Sequence, residues 1–184
     1  MRRVLHKTFF NRPTLTVARE LLGKFLVRKV GRKTIAGMIT EVEAYVGPKD
    51  RASHASRGKT ERTKVMFGRP GHWYVYLIYG MHHCLNIVTE KEGYPAAILV
   101  RSVEGISGPG RVSKHLKIGK TENARPASRK SGLWIEDRGV PAVKFSRGKR
   151  IGIDYAGRWK HKPWRFVLEG HTGQKAGIRP PTAT

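Results

Sequence analysis

Residues 24–46 read KFLVRKVGRKTIAGMITEVEAYV, and this stretch decides the fold because it predicts a long β-hairpin. The segments Phe25–Val30 and Thr34–Tyr45 are rich in β-branched and aromatic residues, and they flank a turn that contains Gly31. In the second segment the two-residue period of a strand places five side chains on one face: Ile35, Ile39, Glu41, Glu43 and Tyr45. Two carboxylates are therefore predicted to point in the same direction.

Other elements are predicted on both sides of this hairpin. A short amphipathic helix is expected between Pro13 and Gly23, and a second helix is expected after Ser107. Strands are predicted at 73–88 (two strands that meet at 79–81), Ala96–Arg101, Leu133–Glu136, Arg150–Ile153 and Trp164–Leu168. The predicted fold class is α+β, with residues 1–170 forming a single domain of a curved antiparallel sheet, a protruding β-hairpin and surrounding short helices.

Three segments lack a regular pattern. The segment from Gly47 to Gly71 is rich in Gly, Ser, Arg and Lys, and it is predicted to be a long basic loop in which only residues 65–67 dock. The segment from Lys114 to Lys130 is predicted to be an exposed connection. The Gly, Pro and Thr content of residues 171–184 predicts a flexible C-terminal tail.

The chain is strongly basic. Its 184 residues include 37 Lys and Arg but only 13 Asp and Glu, which gives a formal net charge of +24. Such a charge is typical of proteins that bind nucleic acid, although a basic surface can also confer solubility or attract acidic membranes. Membranes are disfavoured because no apolar run approaches the ~20 residues of a membrane span, and the N-terminal MRRVLHKTFF lacks the apolar core of a signal peptide. We expect an intracellular protein, in the cytoplasm or nucleoid of a prokaryote or the nucleus of a eukaryote.

No cofactor and no metal site are expected. The single cysteine, Cys84, cannot form an internal disulfide and does not supply the Cys-x-x-Cys of zinc deaminases, so we expect a buried free thiol. His82 and His83 lack a third ligand at a spacing suitable for zinc.

Acidic and aromatic residues near the basic loop are the candidates for chemistry. Trp73 and Tyr74 are expected to be buried packing residues, whereas Tyr79 lies at a predicted hairpin turn, where a ring could enter between base pairs. Glu41 and Glu43 could be solvated or arginine-paired strand residues. Acids that face a polyanion are repelled unless they take part in chemistry, and Glu43 lies nearest the loop, where a carboxylate could deprotonate a water.

Six segments, in order over nearly the whole chain, match the patterns of one family: ARELLGKFLVRK from Ala18, ITEVEAYVGPKDRASHASRGKTERTKVMFGRPG from Ile39, YVYLIYGMHHCLNIV from Tyr74, AAILVRSVEG from Ala96, SGPGRV from Ser107 and RIGIDYAGRWKHKPWRF from Arg150. On these segments the chain resembles the alkyladenine (3-methyladenine) DNA glycosylases of the monofunctional, alkylpurine-excising type. The patterns EAYxGPxDxASH and YVYxIYGMxxCxN are highly specific, whereas SGPG alone is weak.

The resemblance implies catalytic roles for three residues. Glu43 matches the general base that activates the attacking water, and Arg101 matches the arginine that holds this water and keeps the carboxylate ionised. The backbone of Ile151 falls where the family uses a carbonyl to position the water. Glu41 is expected to be a structural carboxylate.

The resemblance also implies how DNA is bound. The walls of the base pocket match Tyr45, His54 and Tyr76, and Asn86 matches the floor that rejects normal guanine. Tyr79 matches the residue that fills the gap left by the extruded nucleotide, with Met81 beside it. Phosphate contacts are implied for Arg111, Thr60 and Arg62.

The implied protein is a monomeric base-excision-repair enzyme that acts on damaged purines in double-stranded DNA. It is expected to release the base without cleaving the strand, because the match supplies a water-activating acid rather than an amine nucleophile. The chain departs from the family between Arg101 and Ser107, where it is shorter than usual and RSVEG replaces RA-x-EP. The alternative function is a non-catalytic basic nucleic-acid-binding module; a likeness to accessory domains that bind tRNA is a weaker third possibility.

Overall fold

Segments of β-branched and aromatic residues form most of the secondary structure. The computed structural model describes residues 2–78, 80–141 and 143–170; the predictions for Tyr79 and for the tail 171–184 concern residues outside these ranges. Within them the strands are β1 Arg3–Val4, β2 Phe25–Val30, β3 Lys33–Val46, β4 Trp73–Ile78, β5 His82–Val88, β6 Ala96–Val103, β7 Ile106–Ser107, β8 Leu133–Asp137, β9 Phe145–Gly148 and β10 Arg165–Leu168. The α-helices are α1 Lys7–Phe10, α2 Thr14–Leu21 and α3 Pro109–His115, and 3-10 helices span His54–Arg57, Lys64–Phe67, Lys120–Glu122 and Asp154–His161.

These strands form one open antiparallel sheet, which confirms the predicted α+β class. The strand order is β1-β8-β2-β3-β6-β5-β4, with β7 beside β6, and with β10 between β3 and β9. The predicted hairpin of β2 and β3 pairs in register from Phe25 opposite Met38 to Val30 opposite Lys33. The sequence of residues 24–46 therefore sets the centre of the sheet.

Strand β3 changes partners along its length. Its first half pairs with β2, whereas its second half lies between β6 and β10, and the register with β6 shifts twice between Ile39 and Val42. Ile39 lies in the main core together with Val42 and Ala44. The prediction that Ile39 shares a face with Glu41 and Glu43 was wrong, because an irregularity of one residue inverts the alternation of a strand.

The two faces of the sheet differ in chemistry because side chains alternate along each strand. One face carries the main core, where Val75, Leu85 and Ile98 pack with residues of α2 and α3. Trp73 and Tyr74 are both buried, as predicted. The opposite face carries polar and aromatic side chains, and residues of the 47–71 loop and of the 150–161 segment pack over it in two smaller clusters.

The predicted strand at Arg150–Ile153 does not form. The strand in this part of the chain is β9, which ends at Gly148 and pairs with β10. Gly152 adopts a left-handed φ of 74°, and the Arg150 side chain is fully buried in an ion pair, so the backbone here follows side-chain contacts rather than a strand ladder.

Two segments predicted to be exposed are partly buried. In the Lys114–Lys130 connection, Leu116 and Ile118 enter the main core, and the buried Glu122 forms a 2.8 Å ion pair with Arg28. In the basic loop, burial extends beyond residues 65–67 to Asp50, Ala52, Ser53, Ala55 and Thr63. Both segments are therefore held by buried apolar and polar side chains that composition alone does not reveal.

Strand β6 runs two residues beyond its predicted end at Arg101. It turns into β7 through Glu104 and Gly105, since Val103 pairs with Ile106 and Gly105 has a φ of 75° that favours glycine. The short connection noted in the sequence is therefore a tight hairpin.

None of the helices in the three described ranges is long and apolar enough to cross a membrane.

Candidate active site

A cavity of about 260 Å³ opens on the polar face of the sheet. The alternation of β3, β4, β5 and β6 aims side chains into it from adjacent strands, and the covering loops complete it. The lining includes the four predicted base-pocket residues Tyr45, His54, Tyr76 and Asn86, together with Arg101 and Ile151. Other residues that line it include Arg62, Tyr74, Cys84 and Tyr155. The sequence-predicted catalytic and base-pocket residues therefore come together in space.

Glu43 is fully buried directly behind this lining and is held by three residues of it. Its Oε2 accepts a hydrogen bond from the Tyr45 hydroxyl at 2.8 Å, and its Oε1 accepts one from the Ile151 backbone N–H at 2.8 Å. The Arg101 Nη1 lies 3.3 Å from the same Oε1. An ionised carboxylate has about four acceptor sites, and these contacts use three of them.

The environment of Glu43 pulls its pKa in two directions. Burial raises the pKa above the ordinary value of 4.5, and this effect outweighs the lowering by Arg101 and by the hydrogen bonds from Ile151 and Tyr45. Burial, followed by the proximity of Glu43, likewise raises the pKa of Tyr45, which keeps its hydroxyl protonated as a donor. A carboxylate whose pKa is shifted toward pH 7 is suited to accept a proton from water.

Glu41 differs from Glu43 although both lie on the same side of β3. Its Oε2 accepts a hydrogen bond from the Ser102 hydroxyl at 2.7 Å, and its Oε1 pairs with Arg165 at 3.0 Å. Arg101 links the two acids, because its Nε lies 3.3 Å from Glu41 Oε1. Glu41 thus fixes Arg101 from behind, which agrees with the structural role predicted for it.

The cavity walls are aromatic. The His54 and Tyr76 rings meet edge to face with centroids 4.6 Å apart, and the Tyr74 and Tyr76 rings are 5.4 Å apart. His54 Nδ1 lies 2.9 Å from the Tyr74 hydroxyl. Tyr74 was predicted to be a packing residue alone, but its hydroxyl also orients His54.

His54 is neutral at physiological pH. Burial, and then the charges of Arg62 and Arg57, lower its pKa from 6.5 to about 4. A neutral imidazole can stack on a heterocycle or exchange one hydrogen bond without adding a positive charge to the cavity.

Asn86 lies on the floor of the cavity, 3 % exposed. Its amide nitrogen donates to the Tyr74 carbonyl at 3.1 Å and to the Cys84 carbonyl at 3.4 Å. These bonds fix the plane of the side-chain amide, so a ring that enters the cavity meets a rigid polar group.

A buried ion pair that the sequence reasoning missed supports the site. Arg150 bonds Asp50 through both terminal nitrogens, at 2.6 and 2.9 Å, and both side chains are fully buried. Arg150 also donates to the Ala44 carbonyl at 2.9 Å, and its guanidinium carbon lies 4.8 Å from the centroid of the Tyr45 ring. This pair joins the basic loop to the segment that supplies the Ile151 N–H. The available signal was that Asp50 lies inside the EAYxGPxDxASH pattern and that Arg150 begins another matching segment.

A basic groove of about 1230 Å³ adjoins the cavity. Its lining includes Thr60 and Arg62 from the predicted phosphate contacts, together with cations that the sequence reasoning did not single out: Lys49, Arg51, Arg57 and Arg158. Arg111 is exposed on α3 and is not among the residues that line the groove or the cavity. Met81 is 72 % exposed next to the start of β5, and Tyr79 lies outside the described ranges.

The described part of the chain holds no group of three or more His, Cys, Asp and Glu side chains arranged for a metal ion. Cys84 is a buried free thiol, as predicted, and burial raises its pKa, which makes it a poor nucleophile.

Comparisons with known proteins give one consistent result. A family model described as methylpurine-DNA glycosylase matches residues 8–107 and 104–172. Similar proteins from several organisms are named "Putative 3-methyladenine DNA glycosylase". The chain is 46 % identical to that of Methanocella arvoryzae, covering 89 % of this chain and 91 % of the relative. It is 45 % identical to that of Anaeromyxobacter dehalogenans strain 2CP-1, covering 90 % and 82 %, and 47 % identical to that of Myxococcus xanthus, covering 88 % and 88 %.

Proposed function

Since the chain belongs to the methylpurine-DNA glycosylase family, we propose that it is a DNA-repair enzyme that hydrolyses the N-glycosidic bond of alkylated or otherwise damaged purines. It acts as a monomer on double-stranded DNA and extrudes the damaged nucleotide before cleavage. The observation that carries this proposal is a fully buried acid, Glu43, which lies directly behind the wall of an aromatic cavity and is held by an arginine, a tyrosine and a backbone amide of that wall. The cavity adjoins a basic groove.

The dimensions support extrusion of a single base. The cavity of about 260 Å³ lies below the range of about 300–1,000 Å³ typical of drug-sized ligands, so it suits one flat heterocycle. A base inside a duplex is stacked and hides its glycosidic bond, and extrusion costs a few kcal/mol, least for a damaged pair. We propose that Tyr79 offsets this cost by filling the gap in the stack, with Met81 beside it.

The base is bound between aromatic faces. The extruded purine would stack between the rings of Tyr45, His54 and Tyr76, and the Asn86 amide would contact its edge. Stacking on aromatic rings contributes about 1–3 kcal/mol per base, whichever base is bound. The exocyclic amino group of guanine would collide with the fixed Asn86 amide, which disfavours normal guanine. 7-Methylguanine carries the same amino group, but its positive charge weakens the glycosidic bond, so it is still cleaved.

Cleavage follows by attack of water on the sugar. The bond between the sugar carbon and the base nitrogen breaks with its electron pair leaving on the base, while the water oxygen bonds to the same carbon and gives a proton to Glu43. Positive charge develops on the sugar in the transition state, and the anionic Glu43 stabilises it. Arg101 and the Ile151 backbone hold the water and the carboxylate in line.

Release of the base without strand cleavage is proposed as well. Lyase chemistry requires an amine that forms a covalent bond to the sugar. No lysine is among the residues that line the cavity in the described ranges, so no such amine is provided there.

The test is direct. The purified chain is incubated with a duplex that carries one 3-methyladenine, 7-methylguanine or hypoxanthine, and the free base is measured by chromatography alongside strand cleavage on a denaturing gel. The enzyme releases free base and leaves the strand intact until the abasic site is cleaved by heat and alkali. Binding to damaged and undamaged duplex with equal affinity, and no free base from any lesion, would instead identify a non-catalytic binding module.

A further inference from the structure

Arg62 stands at the junction of the groove and the cavity, since it lines both. Its guanidinium carbon lies 5.3 Å from the centroid of the Tyr76 ring, within the range of a cation–π contact. Burial raises the pKa of Tyr74, and the nearby charge of Arg62 partly opposes this rise. The free protein thus places one of its own cations against an aromatic wall of the cavity.

This location already carries positive potential. Arg62 and Arg57 both contribute to lowering the pKa of His54 to about 4, although burial is the larger cause. A group that gains positive charge in this part of the cavity is therefore repelled by the arginines. Arg62 itself is exposed, so its long side chain is free to turn toward the groove when another group takes its place on the ring.

We propose that Arg62 is a specificity-determining residue that ranks damaged purines by charge, because its guanidinium competes with a positively charged purine for the Tyr76 ring. This inference rests on the proposed function. An alkylated purine with a fixed positive charge gains cation–π attraction from Tyr76 only by displacing Arg62, and it is repelled by Arg62 while both are near. A neutral damaged purine of similar shape displaces the same side chain without that repulsion.

Arg62 therefore reduces the preference of the enzyme for positively charged purines over neutral ones. Without Arg62 the aromatic walls would favour cationic purines over neutral ones strongly, because the ring faces are electron-rich. With Arg62 present, part of that advantage is cancelled, so the enzyme accepts neutral lesions alongside charged ones. When it turns outward, Arg62 can neutralise a phosphate of the bound strand, which is compatible with the phosphate contact expected from the sequence.

The experiment compares two duplexes that differ only in the lesion, 7-methylguanine as the cationic base and hypoxanthine as the neutral base. For each lesion, the excision efficiency is the maximal single-turnover rate divided by the enzyme concentration that gives half of that rate. The efficiency for 7-methylguanine divided by the efficiency for hypoxanthine gives the cationic-to-neutral ratio of each variant. The variants are Arg62→Gln, which removes the charge, Arg62→Lys, which keeps it, and Arg158→Gln, which removes one charge from the groove but not from the cavity.

We expect Arg62→Gln to raise the cationic-to-neutral ratio roughly fivefold, the size expected from the repulsion between two unit charges about 4 Å apart in water. Arg62→Lys keeps the ratio near the wild-type value. Arg158→Gln lowers both excision efficiencies together and leaves the ratio unchanged. A ratio unaltered by Arg62→Gln, or altered equally by Arg158→Gln, overturns the inference while leaving the glycosylase activity in place. A wild-type protein that releases neither base overturns the proposed function itself, which is a different result.

Discussion

Glu43 occupies a site where folding and chemistry make opposite demands. Its carboxyl is fully buried, yet hydrolysis requires the ionised form. Arg101, Tyr45 and the Ile151 N–H reduce the cost of ionisation without cancelling it, since the pKa remains raised. Such uncompensated cost is typical of residues retained for function rather than for stability.

The first prediction concerns the stability contributed by Glu43. Because its folded-state pKa lies above the ordinary value of 4.5, the folded protein binds this proton more tightly than the unfolded chain. Its contribution to stability is therefore complete below pH ~4.5 and is lost as pH rises through the folded-state pKa. The Glu43→Gln variant cannot ionise, so at pH 7 it should have a higher melting temperature than the wild type, by a few degrees. Calorimetry at pH 4.5 and pH 7 should show this difference growing with pH; a difference that shrinks would contradict it.

The second prediction concerns His54. Its pKa of about 4 is below the ordinary 6.5, so the ring stays neutral between pH 5.5 and 8. The folded protein binds this proton less tightly than the unfolded chain, so the stability that His54 contributes is present above pH ~6.5 and is lost as pH falls toward 4. Nitrogen-detected NMR of labelled histidine should show no titration of His54 above pH 5.5. A midpoint near 6.5 would mean that the ring is not enclosed as described.

At the scale of single residues, the resemblance to the family implied the link between Glu43 and Arg101, because both residues lie in segments that match the family's patterns. It did not predict the contact of Arg62 with Tyr76. Arg62 lies in an irregular loop, and only the path of that loop decides whether a long side chain points to solvent or to a ring.

Two irregular segments, rather than two strands, complete the site. The 47–71 loop and the 150–161 segment share few backbone hydrogen bonds, and the Asp50–Arg150 pair ties them together. Asp50 also accepts hydrogen bonds from the Val46 and Ala52 backbone amides, so it fixes the loop end next to Glu43 and Tyr45. The pair therefore positions the Ile151 N–H against the acid.

The third prediction tests this link. Asp50→Asn leaves Arg150 charged and without its carboxylate in a fully buried position, which should lower the free energy of unfolding by about 3–5 kcal/mol. The control is Glu61→Gln, which removes an equally short but exposed ion pair to Lys64 and should change stability by less than about 1 kcal/mol. Urea unfolding measures both. Equal effects of the two substitutions would show that the buried pair is not a structural tie.

At the scale of elements, hydrophobic periodicity located the helix over Thr14–Leu21 and the main strands within a few residues. Hydrophobic periodicity gave wrong predictions where the backbone departs from the two-residue repeat of a regular strand. The irregularity in β3 places Ile39 in the core. The predicted strand at Arg150–Ile153 does not form, because Arg150 is buried in an ion pair and Gly152 has a left-handed φ. Both failures lie next to Glu43, where the backbone departs from a regular ladder to build the cavity.

The net charge of +24 belongs to the whole molecule, and the groove beside the cavity concentrates part of it. The acids that remain are largely paired: Glu41, Glu43, Asp50 and Glu122 all bond arginines. A polyanion therefore meets a molecule with a large excess of cations. A negative charge is tolerated at Glu43 because it is enclosed.

The fourth prediction follows from this charge. Each phosphate neutralised on binding releases counterions, so the logarithm of the affinity for undamaged duplex should fall by about 0.9 per contacted phosphate for each tenfold increase in salt. Fluorescence anisotropy from 50 to 300 mM salt measures the slope. The Arg158→Gln variant should have a slope smaller by about one, and a slope near zero for the wild type would exclude the groove as the DNA-binding surface.

The central claim is that Glu43 delivers the water that cleaves the glycosidic bond, and single-turnover excision of a 7-methylguanine duplex by three proteins tests it most directly. Glu43→Gln should retain affinity for the damaged duplex and lose at least about 10²-fold in the rate of base release, the scale of a general base. Glu41→Gln, a matched change two residues away on the same strand, should lose far less. A Glu43→Gln rate within a few fold of the wild type, or an equal loss in both variants, would contradict the claim.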